Sequence, residues 1–283
     1  MKLYHYTDAA SLIGIIEHKK VWMNDVNFMN DSNELFDAVR ILGQVGNELG
    51  ETIYIQLAKT IMSLRNHPPQ MMHFFFRGFF ITSFCKEDDL LDMWRGYGSN
   101  GQKYSIEFDS DILVQQIQNE IPDGSFSIEA CIYEQTDKVT AMKSFIEQNP
   151  HEDTTKQEGH EQSLQLETAW LQKFYRLALT FKNSGFKSEK EIRLIGHIMD
   201  SKYIKHRVNN FGITPYIEVP LSKPCISSFR IGPTQDRSLA MYSLNSLINK
   251  STTSGNMILI STGSDKNDIR MPLNFSDTSF RQK

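Results

Sequence analysis

Four separated places in the sequence carry side chains able to do chemistry. They are His5 with its neighbours Tyr6 and Thr7, Asn30 with Asp31, Trp94 with Tyr97, and the segment EKEIR, which holds Glu189, Glu191 and Arg193. In an extended strand Glu189, Glu191 and Arg193 alternate onto one face, while Lys190 and Ile192 take the other. Two carboxylates beside a guanidinium can stabilise positive charge developing on a sugar carbon, or orient a hydroxyl nucleophile. Histidine both donates to and accepts from hydroxyls, and an aromatic face suits a flat cationic ring. Each place also has a plainer reading: His5 and Trp94 in a core, Asn30 and Asp31 as helix caps, the EKEIR charges as a solvated strand edge. No serine or cysteine elbow, phosphate loop or dinucleotide glycine fingerprint is present.

The elements that must position these residues centre on Ser83 to Asp109. GFFITSFC has the length and aromatic content of a buried strand. A helix turn follows, with Asp88 and Asp89 in its first turn, Leu90, Leu91 and Trp94 at helical spacing, and Gly96, Gly98 and Gly101 to break it. The strand resumes at Tyr104, so Trp94 and Tyr97 lie between two strands, as a pocket wall would. Upstream, LYHYT is a short strand, and Asp8 caps a helix that turns Leu12, Ile13, Ile15 and Ile16 inward. VWMN is a second strand, Phe28 to Asp31 a turn, and helices follow at 33–49 and 51–65.

Downstream, SDILVQQIQNEI reads as an amphipathic helix, SIEACIY as a half-buried strand, and 137–148 as helix. NPHEDTTKQEGHEQ is an acidic, aperiodic surface loop; its His151 and His160 match no zinc spacing. A long helix at 162–181 leads to a turn at Gly185 and a strand from Glu191. TPYIEVPL, CISSFRIGP and MILIST supply three more strands, with a helix near 235–249 between the last two.

The chain of 283 residues, with 40% hydrophobic and 23% charged residues, fits one large domain with helical insertions. No apolar run approaches the ~20 residues of a membrane span, and the first apolar stretch is too short for a secretory signal, so a cytoplasmic location without a membrane partner is expected. Cys85, Cys131 and Cys225 are an odd, widely spaced set and read as buried thiols rather than disulfides or metal ligands. A net charge of −4 argues against broad adhesion to nucleic acid. Lys187, Lys190, Arg193, Lys202, Lys205 and His206 nevertheless give a local basic excess, interleaved with aromatic residues as base stacking would require.

The order of LYHYT, FMND, SFC with MWRGYG, GFKSEKEIR and RIGP, from Leu3 to about Pro233, resembles a widespread bacterial family known as a domain of unknown function. That family in turn resembles the ADP-ribosyltransferase superfamily. The resemblance implies an α+β fold with a mixed, split β-sheet core: a single domain over 1–283, with a helical insertion at about 33–77 and a helical segment with a surface loop at about 134–181. It implies NAD as substrate, no metal, and an ADP-ribosyltransferase or NAD glycohydrolase activity, of the kind used by toxins and phage-defence effectors. His5 then contacts a ribose, Tyr97 stacks on nicotinamide with Tyr4, Tyr6 and Trp94 as substitutes, and Glu191 is the catalytic glutamate with Glu189 competing. Thr7, Asn30, Asp31 and Arg193 complete the implied binding set. The acceptor stays open between protein and nucleic acid, and a non-catalytic nucleotide-binding or protein-interaction module on the same fold is the other reading. His5, Tyr97 and Glu191 are expected to meet across one cleft.

Overall fold

Asp8 ends the first strand and begins the first helix: its Oδ1 accepts the Ser11 backbone N–H at 2.8 Å, satisfying one of the amides a helix start leaves open. The strand is β1 (Lys2–Asp8) and the helix α1 (Ala9–His18). Lys19 then takes a left-handed conformation (φ 52°), which stops the helix and lets β2 (Lys20–Asp25) start at the next residue. Leu12, Ile15 and Ile16 are buried, whereas Ile13 is 42% exposed: one position past Leu12 it has rotated ~100° away from the inner stripe.

The computed structural model describes residues 1–29, 33–63, 77–96, 101–151, 160–209, 212–221, 225–251 and 273–278. After β2 come α2 (Asn33–Leu49), α3 (Thr52–Ser63), β3 (Phe79–Cys85), α4 (Leu91–Gly96) and β4 (Lys103–Asp109). Next are α5 (Ser110–Glu120), β5 (Ser125–Ala130), α6 (Gln135–Gln148), α7 (His160–Ala178) and β6 (Glu191–His197). The chain continues through β7 (Ile204–Asn209), β8 (Gly212–Pro220), β9 (Ile226–Ile231), α8 (Arg237–Ser251) and β10 (Leu273–Phe275). The fold is mixed α+β.

Two compact units share the chain. The first comprises Met1–Asp25, Phe80–Glu129 and Ser188–Lys283; the second comprises Val26–Phe79 and Ala130–Lys187. In the second unit α2 and α3 pack where glycines allow: a Cβ on Gly46 would lie 3.0 Å from the Tyr54 Cβ. Trp170 stacks on Phe174 at 5.6 Å, and Phe145 meets the Trp170 ring edge-on. The buried Lys138 ammonium there is neutralised by Asp37 at 2.7 Å.

The first unit is built on a mixed, open sheet. Its described strands run in the order β10-β9-β4-β1-β3-β2-β8-β7, with β6 joining β3 and β5. Strand β1 pairs with β4 along its whole length but with β3 only at Tyr4 opposite Cys85. Strand β10 lies parallel to β9, whereas β1 runs antiparallel to β3 and β4, β2 to β3 and β8, β4 to β9, and β7 to β8.

Because side chains alternate along strands and cross-strand partners share a face, these registers sort the residues into two sets. One face presents Leu3, Phe84, Ile106, Phe108, Phe229, Met23 and Ile217, all buried in one apolar core. The opposite face presents Ser228 and Arg230 on β9, Ser105 and Glu107 on β4, Tyr4 and Tyr6 on β1, and Ser83 and Cys85 on β3. It continues through Trp22 and Asn24 on β2, Thr214, Tyr216 and Glu218 on β8, and Lys205 and Arg207 on β7. One face is mainly apolar, with His5, Thr7 and Thr82 set into it; the other carries most of the polar and charged groups.

Several sequence expectations are corrected. The strand expected over SIEACIY sits earlier, at Ser125–Ala130. Glu189 is not in the EKEIR strand: it closes a 3-10 turn (Ser184–Glu189), and Lys190 with φ 46° breaks the extended backbone, so alternation begins only at Glu191. MILIST lies outside the described residues. Strands β7 and β10 were not read from the sequence.

Candidate active site

Glu191 is the first residue of β6, and Arg193 follows on the same face. Arg193 Nε donates to Glu191 Oε1 at 2.9 Å and Nη2 donates to Oε2 at 3.2 Å, a two-pronged fork that fixes the carboxylate plane. The hydroxyl of Ser83, on β3, donates to Glu191 Oε1 at 2.5 Å. Both charges are withdrawn from water, with Glu191 4% and Arg193 2% exposed. In such a setting a carboxylate keeps its position only if donors hold it, and here an arginine and a serine do. Since Ser83 and Glu191 touch through their side chains, Glu191 belongs to the polar face of the sheet.

His5 approaches the same serine from its backbone. Its Nδ1 lies 3.2 Å from the Ser83 carbonyl oxygen, so Nδ1 carries the proton and donates, leaving Nε2 as the acceptor. Burial lowers the His5 pKa, with the carbonyl contact opposing that shift, and the ring is neutral at neutral pH. The ring packs edge-on against Phe84 at 5.8 Å, on the apolar face. His5 and Glu191 therefore sit on opposite faces, joined through the two ends of Ser83. That is a correction: the two side chains do not open onto one cleft.

The aromatic candidates are used in packing. Trp94 is 1% exposed; its indole N–H donates to Asp89 Oδ1 at 2.7 Å and its ring meets Tyr6 at 4.6 Å. A Cβ on Gly232 would come within 2.9 Å of that ring. Trp94 is thus part of a small core with Tyr6, Cys85 and Met93, not the wall of an open pocket. The Tyr6 hydroxyl donates to the Glu87 carbonyl and accepts the Leu90 N–H, both at 2.9 Å, and burial raises its pKa. Thr7 is buried opposite Tyr104, on the face of His5. The Glu189 carbonyl accepts from Cys85 Sγ at 3.2 Å. Asn30, Asp31 and Tyr97 lie outside the described residues.

Ser83 was not singled out from the sequence, although with Thr82 it forms a polar pair inside an aromatic-rich run. The basic segment is locally neutralised. Lys190 pairs with Glu87, Lys202 with Asp123 and Asp200, and Lys205 with Glu218; in the second unit, Lys187 pairs with Glu134. Cys85, Cys131 and Cys225 are buried and none is in a disulfide; burial pushes the Cys85 thiol up to about 11 and the Cys225 thiol up to about 12. No cluster of metal-ligating side chains is present among the described residues, and no described helix is long and apolar enough to cross a membrane.

Residues 93–194 match the model of a family described as "Protein of unknown function (DUF2971)". The match includes Trp94, Glu189, Glu191 and Arg193, and leaves LYHYT, FMND and RIGP outside it. No curated protein and no solved structure matches the chain.

Proposed function

We propose that the Glu191 end of β6 is the catalytic edge of an NAD-dependent ADP-ribosyltransferase or NAD glycohydrolase. The observation that carries this reading is the carboxylate itself: the first residue of a strand, on the polar face, with its plane fixed by the Arg193 fork and the Ser83 hydroxyl. A carboxylate so held is preorganised to stabilise positive charge on an adjacent ribose carbon and to accept from a ribose hydroxyl. In the step, the bond between ribose C1′ and the nicotinamide nitrogen breaks, and its electron pair leaves with the ring. The cationic sugar carbon then takes an acceptor nucleophile, which loses a proton; with water as acceptor the activity is glycohydrolase. His5, which holds the Ser83 carbonyl, acts as a positioning residue, and the resemblance assigns nicotinamide stacking to Tyr97. A toxin or phage-defence role would follow from consuming NAD in this way.

A second reading rests on the burial of the same pair. Glu191 at 4% exposure, matched by Arg193, also suits a structural ion pair inside a nucleotide-binding or protein-interaction module without turnover. Nicotinamide release from labelled NAD separates the two. Ser83→Ala removes one donor but leaves the ion pair; under the catalytic reading it lowers kcat by roughly tenfold or more, with little change in KM. Glu191→Gln, assayed per folded molecule, should lower kcat about a hundredfold or more. Wild-type protein that binds NAD but releases no nicotinamide favours the module.

A further inference from the structure

Trp22 is 44% exposed on the polar face of β2, an unusual position for a large aromatic ring. Tyr216, on the neighbouring strand β8, lies with its ring centroid 4.9 Å away at 52°. From β7, Arg207 brings its guanidinium carbon 5.1 Å from the Trp22 ring centre, and its Nη2 donates to Asn24 Oδ1 at 2.8 Å, which holds the planar group in place. The anchoring leaves Arg207 Nε buried with no hydrogen-bond partner among the described residues. Thr214 Oγ1, directly across the β7–β8 ladder, is in the same condition. A buried donor without a partner costs about 1–3 kcal/mol, so two at one place ask for an explanation.

The geometry points to a nucleobase subsite at Trp22, Tyr216, Arg207 and Thr214. A base offers a flat π-face to the exposed indole, and its edge oxygens and nitrogens suit the N–H and hydroxyl, which are buried in the free protein and become reachable when the Arg207 side chain shifts on binding. Lys20 and Lys205 share the single Glu218 carboxylate, each at 2.6 Å, so one of their two charges is offset and a sugar phosphate is the control that separates charge attraction from base recognition. The base could come from a free adenine nucleotide or from a single strand of nucleic acid. The inference is independent of any reaction at Glu191, because a ligand without nicotinamide tests it.

AMP, a short oligodeoxyadenylate and ribose 5-phosphate should be titrated while tryptophan emission is read with acrylamide as quencher. Trp94 and Trp170 are 1% and 7% exposed, so the quenchable signal is mainly that of Trp22. AMP should saturate the response and protect Trp22, whereas ribose 5-phosphate should do neither; tighter binding of the oligonucleotide would assign the base to a strand. By calorimetry, Trp22→Leu and Arg207→Lys should each weaken AMP binding by on the order of tenfold, the second because lysine keeps the charge but loses the planar face and Nε. No saturable binding of either base-containing probe to folded protein overturns the proposal. So does equal competition by ribose 5-phosphate, or affinity unchanged in Arg207→Lys.

Discussion

The two faces of the sheet are both used for packing, but by different physics. On one, Phe84 meets Phe108 edge-on at 5.7 Å within a continuous hydrocarbon core. On the other, buried groups are held by specific partners: Glu191 by Arg193 and Ser83, and Glu107 by the Ser228 hydroxyl at 2.7 Å. Apolar contact tolerates small shifts because dispersion is non-directional, whereas a buried carboxylate needs its donors within tenths of an ångström. An antiparallel sheet commonly gives one face to solvent and one to the core. Here the second face, around Glu191, Arg193 and Glu107, gives up water without giving up charge, an arrangement that costs stability unless each group is matched. That makes the polar face the one on which function is expected.

The comparison can be broken most forcefully at its centre. Phe108→Ala should cost about 3–5 kcal/mol in urea unfolding, as for other fully buried aromatics. Glu191→Gln should cost nearly as much, about 3–5 kcal/mol, because it removes the negative charge that offsets the buried Arg193 guanidinium. The informative variant is the double replacement Glu191→Leu with Arg193→Met, which should regain most of that loss. If the double variant is as unstable as the single one, the pair is not behaving as a buried ion pair. Ser83→Ala is milder, about 1.5–3 kcal/mol for a lost hydrogen bond to a charged group.

Smaller effects sharpen the contrast. Because burial lowers the His5 pKa, the unfolded chain binds a proton more readily than the folded one. Its contribution to stability is therefore complete above the unfolded value of ~6.5 and is lost as pH falls from there toward the lower folded value. The pH slope of the urea midpoint over that window should flatten in His5→Phe; an unchanged slope would assign it to other groups. The thiols belong here too: with all three cysteines buried, a thiol reagent should label the native protein slowly and the denatured protein quickly. Rapid native labelling of two of them would contradict that.

Local signals carried much of the fold. Asp8 as a cap, the stripe of Leu12, Ile15 and Ile16, and the aromatic run Phe79–Cys85 are short-range features, and α1 and β3 lie where these place them. Glu191 and Arg193 were legible as a pair because a strand's two-residue period is local. Glu189 was misplaced because Lys190 is left-handed, and nothing in EKEI distinguishes a broken alternation from a continuous one. Strand β7, IKHRVN, places Lys205, His206 and Arg207 in a row without alternation and reads as a solvated stretch until β8 pairs with it. Ser83 was passed over because its importance comes from Glu191, 108 residues away, and such distances are set by sheet register.

One clasp also sets an order of assembly. Asp89, just before α4, accepts from the Ser276 hydroxyl at 2.6 Å and from the Asp277 N–H at 2.8 Å, a separation of 188 residues in the second case. During synthesis the ribosome must deliver those 188 further residues before Asp89 meets these partners, tens of seconds at the lower elongation rates of ~5–20 residues per second. Throughout that interval Asp89, bonded to the Trp94 indole and, once β9 is made, 4.0 Å from Arg230, has its remaining acceptor sites open to water. A nascent chain stalled before residue 276 should therefore expose the α4 region to protease, and release of a chain carrying Ser276 and Asp277 should close it.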